Sequence, residues 1–346
     1  MTGKKLTYKD AGVNIDAGNE SIKRIKKHVK STFTKDVLLD VGKFGGMISL
    51  EKAKKMKKPA LVCSIDGVGT KMKIASMADK WDSVGKDIVN HSSNDILVQG
   101  AFPVAFMDYI ASDKIEPEQV EQIVKGISEA CKEAGISLIA GETAEMPGVY
   151  EKGETDLAGA IYGLMDAEDV IDGSGIKKGD VLLGLASDGL HTNGYSLARK
   201  VFFEVAGLKV TDYVEEFDCS VGDELLKPHK SYVNIVKALL EAGVKISGMA
   251  HITGGGLVEN VPRILPKGTC AVINKNAIDV LPVFKFIQEK GNVDEQDMWR
   301  TFNMGIGLVV VIPLSERAKA VKILEKHKQK FREVGSIAKG CGVQIR

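Results

Sequence analysis

Cysteine is scarce and scattered in this chain. Its 346 residues include five (Cys63, Cys131, Cys219, Cys270 and Cys341), an odd number, far apart and never in a CxxC pair. That argues against a disulfide framework or a zinc site and points to reduced thiols in a cytoplasmic protein. Cys63 and Cys131 lie inside apolar patterns and read as small core residues. A charge surplus is also missing: 47 Lys and Arg against 46 Asp and Glu leave a net charge of +1. With no basic excess to neutralise a phosphate backbone, nucleic acid is not the expected partner. No apolar run approaches the ~18 residues of a membrane span. MTGKKLTYKD carries no apolar stretch of the kind a secretory signal needs, so none is expected. GxxxxGK[ST] and GxGxxG are both absent, as are internal repeats and low-complexity tracts.

Glycine, by contrast, is abundant: 37, against about 24 at average usage. The excess implies tight turns and close backbone approaches, and suits phosphate handling. The length exceeds one compact core and fits two domains. PEQVEQIVKGISEACKEA (117–134) has apolar residues at helical spacing, Pro117 in the first turn and Gly135 as a stop. Further helices are expected over 230–242 and after Ser315, a cap candidate, with Ala318, Val321 and Leu324 inward. Short apolar runs at 61–65, 104–111, 137–140, 157–165, 181–186, 270–273 and 307–312 read as strands. The mixture indicates an α/β (α+β) fold with helices covering sheets. The polar, glycine-rich IDGSGIKKGD (171–180) divides residues 21–170 from 171–346, and residues 1–20, polar and turn-rich, read as a mobile arm or lid.

Three acidic motifs share a layout in which polar residues stand at the end of an apolar run. They are Asp66-Gly67-Val68-Gly69-Thr70-Lys71, then Asn94-Asp95 after HSS, then Gly141-Glu142-Thr143-Ala144-Glu145-Met146-Pro147-Gly148 after SLIA. Strand ends are where α/β proteins build ligand sites, so the acids could converge there. Carboxylates suit magnesium, Gly67 and Gly69 would let backbone N–H groups approach phosphate, and Lys71 could neutralise it. Singly, each motif also reads as an ordinary turn. Two more glycine clusters fit phosphate: Gly42-Lys43-Phe44-Gly45-Gly46, and Thr253-Gly254-Gly255-Gly256 ahead of LVENVPRIL. Among the histidines, His191, in the polar loop SDGLHTNGYS with Asn193, and His251, just before TGGG, could face a ligand and move a proton. His28 and His327 read as solvated, and His229 carries no signal.

DGVGTK, ND, GETAEMPG, HTNGYS, HITGGG with ENVPR, and FNMGIG occur here in one order, together with YKDAGVNIDAGN near the start. In this the chain, from residue 8 to about 310, closely resembles the phosphoribosylformylglycinamidine cyclo-ligases, also called aminoimidazole ribotide synthetases. The resemblance implies an ATP-dependent closure of formylglycinamidine ribonucleotide to aminoimidazole ribonucleotide, with ADP and phosphate released, in purine biosynthesis. It implies ATP and Mg2+ as cofactors and magnesium on Asp66, Asp95 and Glu142, with Asn94 and Glu145 in second rank. Phe44, Gly45, Gly46, Gly67, Gly69, Thr70 and Lys71 would contact ATP; Lys71, His191 and Asp66 would be catalytic. His191, Asn193, His251, Thr253, Gly254, Gly255 and Gly256 would face the substrate. The family architecture implies two α/β domains and a homodimer, its N-terminal-domain strands forming a barrel with active sites in a groove at the interface.

The chain departs from that pattern at Ile65, commonly threonine; at HSS before Asn94-Asp95, commonly MCV, which adds His91; at Asp188, commonly serine; and at Lys43, commonly glycine. Relatives of the same fold run other reactions. Selenophosphate synthetase needs an early Cys, absent from the first 60 residues, and the hydrogenase-maturation dehydratase ends in a reactive cysteine, whereas Cys341 is followed by GVQIR. The substrate-supplying amidotransferase is longer. A thiamine-phosphate kinase-like phosphotransferase is the alternative, and a non-catalytic ATP-binding partner a second.

Overall fold

Between Pro59 and Gly67 side chains alternate between covered and exposed, the period of a half-buried strand. The structure, a computed structural model, describes residues 5–346. In its first half α1 (Ile15–Lys30) leads to β1 (Pro59–Gly67), α2 (Lys71–Ala78), α3 (Asp82–Leu97), β2 (Phe102–Ser112), α4 (Pro117–Ala134), β3 (Ser137–Glu145) and β4 (Thr155–Asp166). The four strands form one sheet in the order β1-β4-β2-β3, antiparallel except for β2 with β3.

The second half runs through β5 (Val181–Ala186), α5 (Tyr195–Arg199), a small ribbon of β6 (Tyr213–Val214) and β7 (Cys219–Ser220), α6 (Val221–Leu225), α7 (Val233–Glu241) and β8 (Gly248–His251). It continues with α8 (Gly256–Asn260), β9 (Thr269–Ile273), α9 (Pro282–Gly291), α10 (Glu295–Thr301), β10 (Ile306–Ile312), α11 (Arg317–Lys326), β11 (Phe331–Lys339) and β12 (Gly342–Ile345). Its six-stranded sheet has the order β12-β9-β11-β5-β10-β8. The strand β10, IGLVVVI, is buried along its whole length, as a central strand covered on both faces must be. Among the described residues no helix is long and apolar enough to cross a membrane.

The helix α4 starts and stops where its sequence signals place it: Pro117 in the first turn, Gly135 left-handed at the end, and Val120, Ile123, Val124, Ile127 and Cys131 buried. It crosses α3 at close range through two glycines. A Cβ on Gly85 would run into the Ile123 carbonyl, and one on Gly126 into that of Asp82.

Several expectations shift. The helix α1 runs through the expected arm boundary at residue 20, and residues 1–4 of the arm lie outside the described residues. The chain just before α1 is tied down, since Asn14 N–H donates to the Glu145 carboxylate, which also accepts from Ile115 N–H at 2.9 Å. Cys63 is exposed rather than core, because it falls on the outward register of β1; Cys131 is buried. Ser315 sits in a 3-10 turn and caps nothing, and α11 turns Ala320 and Leu324 inward instead of Ala318 and Val321. The helix α7 starts only at Val233 because the preceding residues are held by α3.

Candidate active site

The helix α3 is unusual in burying polar side chains: Asp87, Asn90, His91, Ser92, Ser93 and Asn94 are all buried. Such groups are costly to bury unpaired, and all of these but the Ser93 hydroxyl find a partner. Asp87, Asn90 and Asn94, at helical spacing on one face, satisfy the backbone of the segment before α7. Asp87 Oδ1 accepts from His229 N–H at 2.6 Å, and Asn90 Nδ2 donates to His229 O at 2.7 Å. Asn94 donates to Lys230 O at 2.8 Å and accepts from Tyr232 N–H at 3.0 Å. With both amide atoms engaged, Asn94 is removed from the candidate metal ligands. Glu145 is removed likewise by its bonds to Asn14 and Ile115.

Lys71 corrects the sequence reading most sharply. It was expected to face ATP phosphates, yet its side chain has 0% exposure and its ammonium lies 2.7 Å from Asp87 Oδ2. It also donates to Lys227 O at 2.8 Å and His191 O at 3.2 Å. Burial pulls the Lys71 pKa down and pushes that of Asp87 up, each opposed by the other's charge. An ammonium with three acceptors in a dry site is a pin joining the two halves of the chain, not a free charge for a ligand.

The helix α3 turns His91 and Asp95, four residues apart and so on one face, toward β1 and β8. His91 Nε2 is 2.7 Å from Asp66 Oδ2 and 3.7 Å from Asp95 Oδ2. His251 Nδ1 is 2.7 Å from Asp95 Oδ1, and its Nε2 is 2.9 Å from His229 Nε2. Thr192 Oγ1 bridges His91 Nδ1 at 2.6 Å and His229 Nδ1 at 3.3 Å. Four of the six histidines thus converge, with His191 stacked on His229 at 4.0 Å between ring centroids.

Each proton placement that satisfies this chain of bonds needs one doubly protonated ring, and the electrostatics favour the following one. With Asp95 ionised, His251 donates from Nδ1 and accepts at Nε2 from His229; His229 accepts at Nδ1 from the Thr192 hydroxyl. Thr192 then accepts from His91 Nδ1–H, and His91 donates its second proton to Asp66, which makes it the imidazolium of the group. The electrostatics agree. Burial works against charge on His91, but its hydrogen bond to Asp66 and the charges of Asp66 and Asp95 outweigh it and raise the pKa. Burial would likewise raise Asp95, but the bond from His251 and the charges of His251 and His91 hold it below its usual range. His191 and His229 are pushed well down by burial and stay neutral.

Asp66, His91, Asp95, Asn193, His251, Thr253 and Gly254 line one cleft of about 660 Å³ between the two sheets. An adjoining groove holds Gly67, Gly69, Thr70, Asn193 and Ser196, with Thr70 Oγ1 3.4 Å from Ser196 Oγ. The cleft therefore unites much of the expected site but not all of it. His191 is buried behind the cleft wall. Asp95 sits inside a helix and Glu142 inside β3, so only Asp66 lies at the end of a strand. Gly255 and Gly256 are structural: Gly256 packs on the Trp299 and Phe302 carbonyls, and Asn260 Nδ2 ties the turn through Thr253 O, Gly254 O and Gly256 O at 3.3, 3.1 and 2.9 Å.

Glu142 does not join Asp66 and Asp95. Register carries Asp66 to Gly159, Gly159 to Asp108 and Asp108 to Gly141, which places Glu142 three strands away, about 14 Å at the usual strand spacing. It lines a second cleft, of about 270 Å³, with Phe44, Gly45 and Asp108 and apolar walls from Ile25, Val29 and Leu138. Gly46 is pressed against the Ile139 carbonyl. Here burial lifts the Asp108 carboxyl to about 7. His91, His229 and Asp87 were not among the expected site residues; the spacing of His91 four before Asp95 was the one signal available.

Residues 49–165 match the AIR synthase related protein, N-terminal domain, and residues 177–346 the corresponding C-terminal domain. The phosphoribosylformylglycinamidine cyclo-ligase of Syntrophotalea carbinolica is 55% identical over 338 residues, 98% of this chain and 96% of that one. That of Alkaliphilus oremlandii is 52% identical over 337 residues, 97% and 98% of the two chains. The chain belongs to the phosphoribosylformylglycinamidine cyclo-ligase family. As a member of that family it is a ligase of purine biosynthesis, as the motifs led us to expect. Solved structures share the fold at low identity. Thiamine-monophosphate kinase from Stenotrophomonas maltophilia has a TM-score of 0.68 at 16% identity, over 94% of this chain and 95% of its own. Hydrogenase maturation protein HypE in complex with ATP has a TM-score of 0.61 at 17% identity, over 99% and 92%. The kinase alternative thus rests on fold alone, whereas the cyclo-ligase relatives match along the sequence.

Proposed function

We propose that this cyclo-ligase uses ATP to close formylglycinamidine ribonucleotide in the cleft between its two sheets. The observation that carries the reading is the meeting, in one cleft, of Asp66 and Asp95 from the first half with Asn193, Thr253 and Gly254 from the second. The formyl oxygen attacks the γ-phosphorus and ADP leaves; the amidine nitrogen then attacks the activated carbon, its C–O bond breaks, and phosphate departs as the nitrogen loses a proton. Such a transfer needs positioning and charge neutralisation more than covalent help. The groove at Gly67, Gly69, Thr70 and Ser196 offers backbone and hydroxyl groups to phosphate. Asn193, Thr253 and Gly254 would orient the substrate.

Magnesium fits this donor set. Asp66 and Asp95 keep 32% and 29% of their side-chain surface open, each 2.7 Å from a ring nitrogen, of His91 and His251 respectively. The bound ion would neutralise phosphate charge there. Lys71 acts as a positioning residue, holding the His191 loop against α2. Phe44, Gly45, Gly46 and Glu142 are assigned to the nucleotide through the second cleft. We also take residues 21–170 and 171–346 as two domains, a division supported by each sheet drawing its strands from one range. A homodimer through β1 completes the reading, since that edge strand exposes apolar side chains.

The test is incubation of the protein with formylglycinamidine ribonucleotide, ATP and Mg2+. The expected result is phosphate release matched one for one by a diazotisable amine. Folded protein that yields no amine would overturn the reading.

A further inference from the structure

A ribonucleotide substrate carries a phosphate monoester, largely dianionic near neutral pH. The cleft between the two sheets is lined by three carboxylates, Asp66, Asp95 and Asp172, so that charge needs a cation of its own. Lys71 cannot supply it, being buried against Asp87 and absent from the cleft wall. Among the described residues that line the cleft, Arg263 is the sole lysine or arginine. It is exposed, and among the described residues no acceptor engages its guanidinium. Asp172 lies nearby but accepts from Ser174 N–H at 2.9 Å instead. A guanidinium left open in an acidic cleft is free to take an anion.

The strand β8 sets the separation. His251, at its end, meets Asp95 at 2.7 Å, whereas Gly248, at its start, packs on Ile264, where a Cβ would stand 3.2 Å from Ile264 Cδ1. Three residues of strand lie between these contacts, about 10 Å at ~3.3 Å per residue. The magnesium carboxylates thus stand at one end of the cleft and the 3-10 turn Val261–Ile264, which carries Arg263, at the other. A ribose fits between them. The turn is firmly seated: Val261 is buried, and a Cβ on Gly173 would run into the Ile264 carbonyl. Three residues before Arg263, Asn260 Nδ2 donates to Thr253 O and Gly254 O. That ties the turn to two residues already assigned to the substrate.

We propose that Arg263 anchors the phosphate of the ribonucleotide substrate, at the end of the cleft away from the magnesium carboxylates. The inference rests on the cyclo-ligase reading and names the side chain that holds the unreactive end of its substrate. A guanidinium offers a planar fork of donors that matches two phosphate oxygens, where a lysine would offer only a point charge. Fixing the phosphate at one end holds the formyl group at the other, so a group that does not react positions the one that does. The arrangement also sorts the two anions of the reaction: triphosphate goes to the magnesium end and monoester to the arginine.

The experiment compares the full-length parent with Arg263→Gln and Arg263→Lys, with melting curves confirming that each variant folds. Turnover is followed by amine formation, and binding of ribose 5-phosphate is measured by calorimetry without ATP. Arg263→Gln should raise KM for the ribonucleotide by about 10- to 100-fold, the range of one or two charge-assisted hydrogen bonds. KM for ATP should stay at the parent's value, and Arg263→Lys should recover part of the loss. Ribose 5-phosphate should inhibit the parent in competition with the ribonucleotide and not with ATP, and should bind Arg263→Gln about 10-fold or more weakly. An unchanged ribonucleotide KM in folded Arg263→Gln, or a raised KM for ATP in its place, would overturn the inference and leave the cyclo-ligase reading standing. If the parent forms no amine, the cyclo-ligase reading falls and calorimetry decides this one. Weaker ribose 5-phosphate binding by Arg263→Gln would then uphold the anchor, and equal binding, or none by the parent, would overturn it.

Discussion

Lys71 is the residue whose role changes most between sequence and structure. In DGVGTK its charge is legible and its burial is not, because its partner Asp87 lies on the next helix and its other acceptors are carbonyls of the second half. Removing one member of a buried pair leaves an uncompensated charge, which costs about 3–5 kcal/mol. Lys71→Met should lower unfolding stability by that amount in urea titrations, and adding Asp87→Leu should recover much of it. A single variant within about 1 kcal/mol of the parent would show that the pin carries no load. Asp108 makes a second case. Its carboxyl is sunk against Gly141, where a Cβ would stand 2.5 Å from Oδ1, and its pKa rises to about 7. An aspartate in the unfolded chain titrates near ~3.9. Between these values the folded state holds the proton that the unfolded state has lost, so stability falls as pH rises from about 4 to about 7. Asp108→Asn, uncharged at every pH, should flatten that fall: melting temperatures near the parent's at pH 4 and above it at pH 8. Parent and variant losing stability in parallel across that range would place the titration elsewhere.

At the scale of elements, legibility followed the apolar period. The helix α4 could be read to the residue because its stripe is apolar and its ends carry Pro117 and Gly135. The helix α3 could not, because it spends its buried faces on Asp87, Asn90, His91 and Asn94, whose partners are largely backbone groups of residues 229–232. A period search sees such a helix as polar. For the same reason Asn94-Asp95 looked like the end of a strand, and the strands through Asp66 and Glu142 looked shorter than they are. The position of α3 depends on its crossing with α4, where backbone meets backbone at Gly85 and Gly126. Gly126→Ala must push the helices apart at Asp82, on the element that carries His91 and Asp95. Overpacking of this kind costs about 1–3 kcal/mol, and the displaced side chains should lower kcat as well. A control such as Gly153→Ala, in open surface, tests substitution without crowding, though its φ of 80° adds local strain. Unfolding midpoints and turnover measured side by side check this: loss of stability with unchanged kcat would mean that α3 absorbs the displacement without moving the site.

For the whole molecule, the question is what covers β1. It is an edge strand, bonded to β4 on one side, and the alternation of its side chains puts Leu61, Cys63 and Ile65 on the same exposed face. Leu61 is 59% exposed and Ile65 76%. Scattered apolar residues on a surface are ordinary, but a row of them on an unpaired strand edge invites pairing with another chain. The same strand turns Asp66 toward the cleft on its opposite face, so a second copy packed on β1 would brace the site from behind. In an isologous dimer each copy presents the same patch, and one substitution is felt twice. If the proposed dimer forms through β1, Ile65→Lys, which would place two like charges in that interface, should convert it to monomer in sedimentation velocity runs and lower turnover through loosening of Asp66. Leu314→Lys, at a site 63% exposed in a turn of the second half of the chain, should change neither. If Ile65→Lys sediments as the parent does, β1 is not the contact, and its apolar row needs another partner.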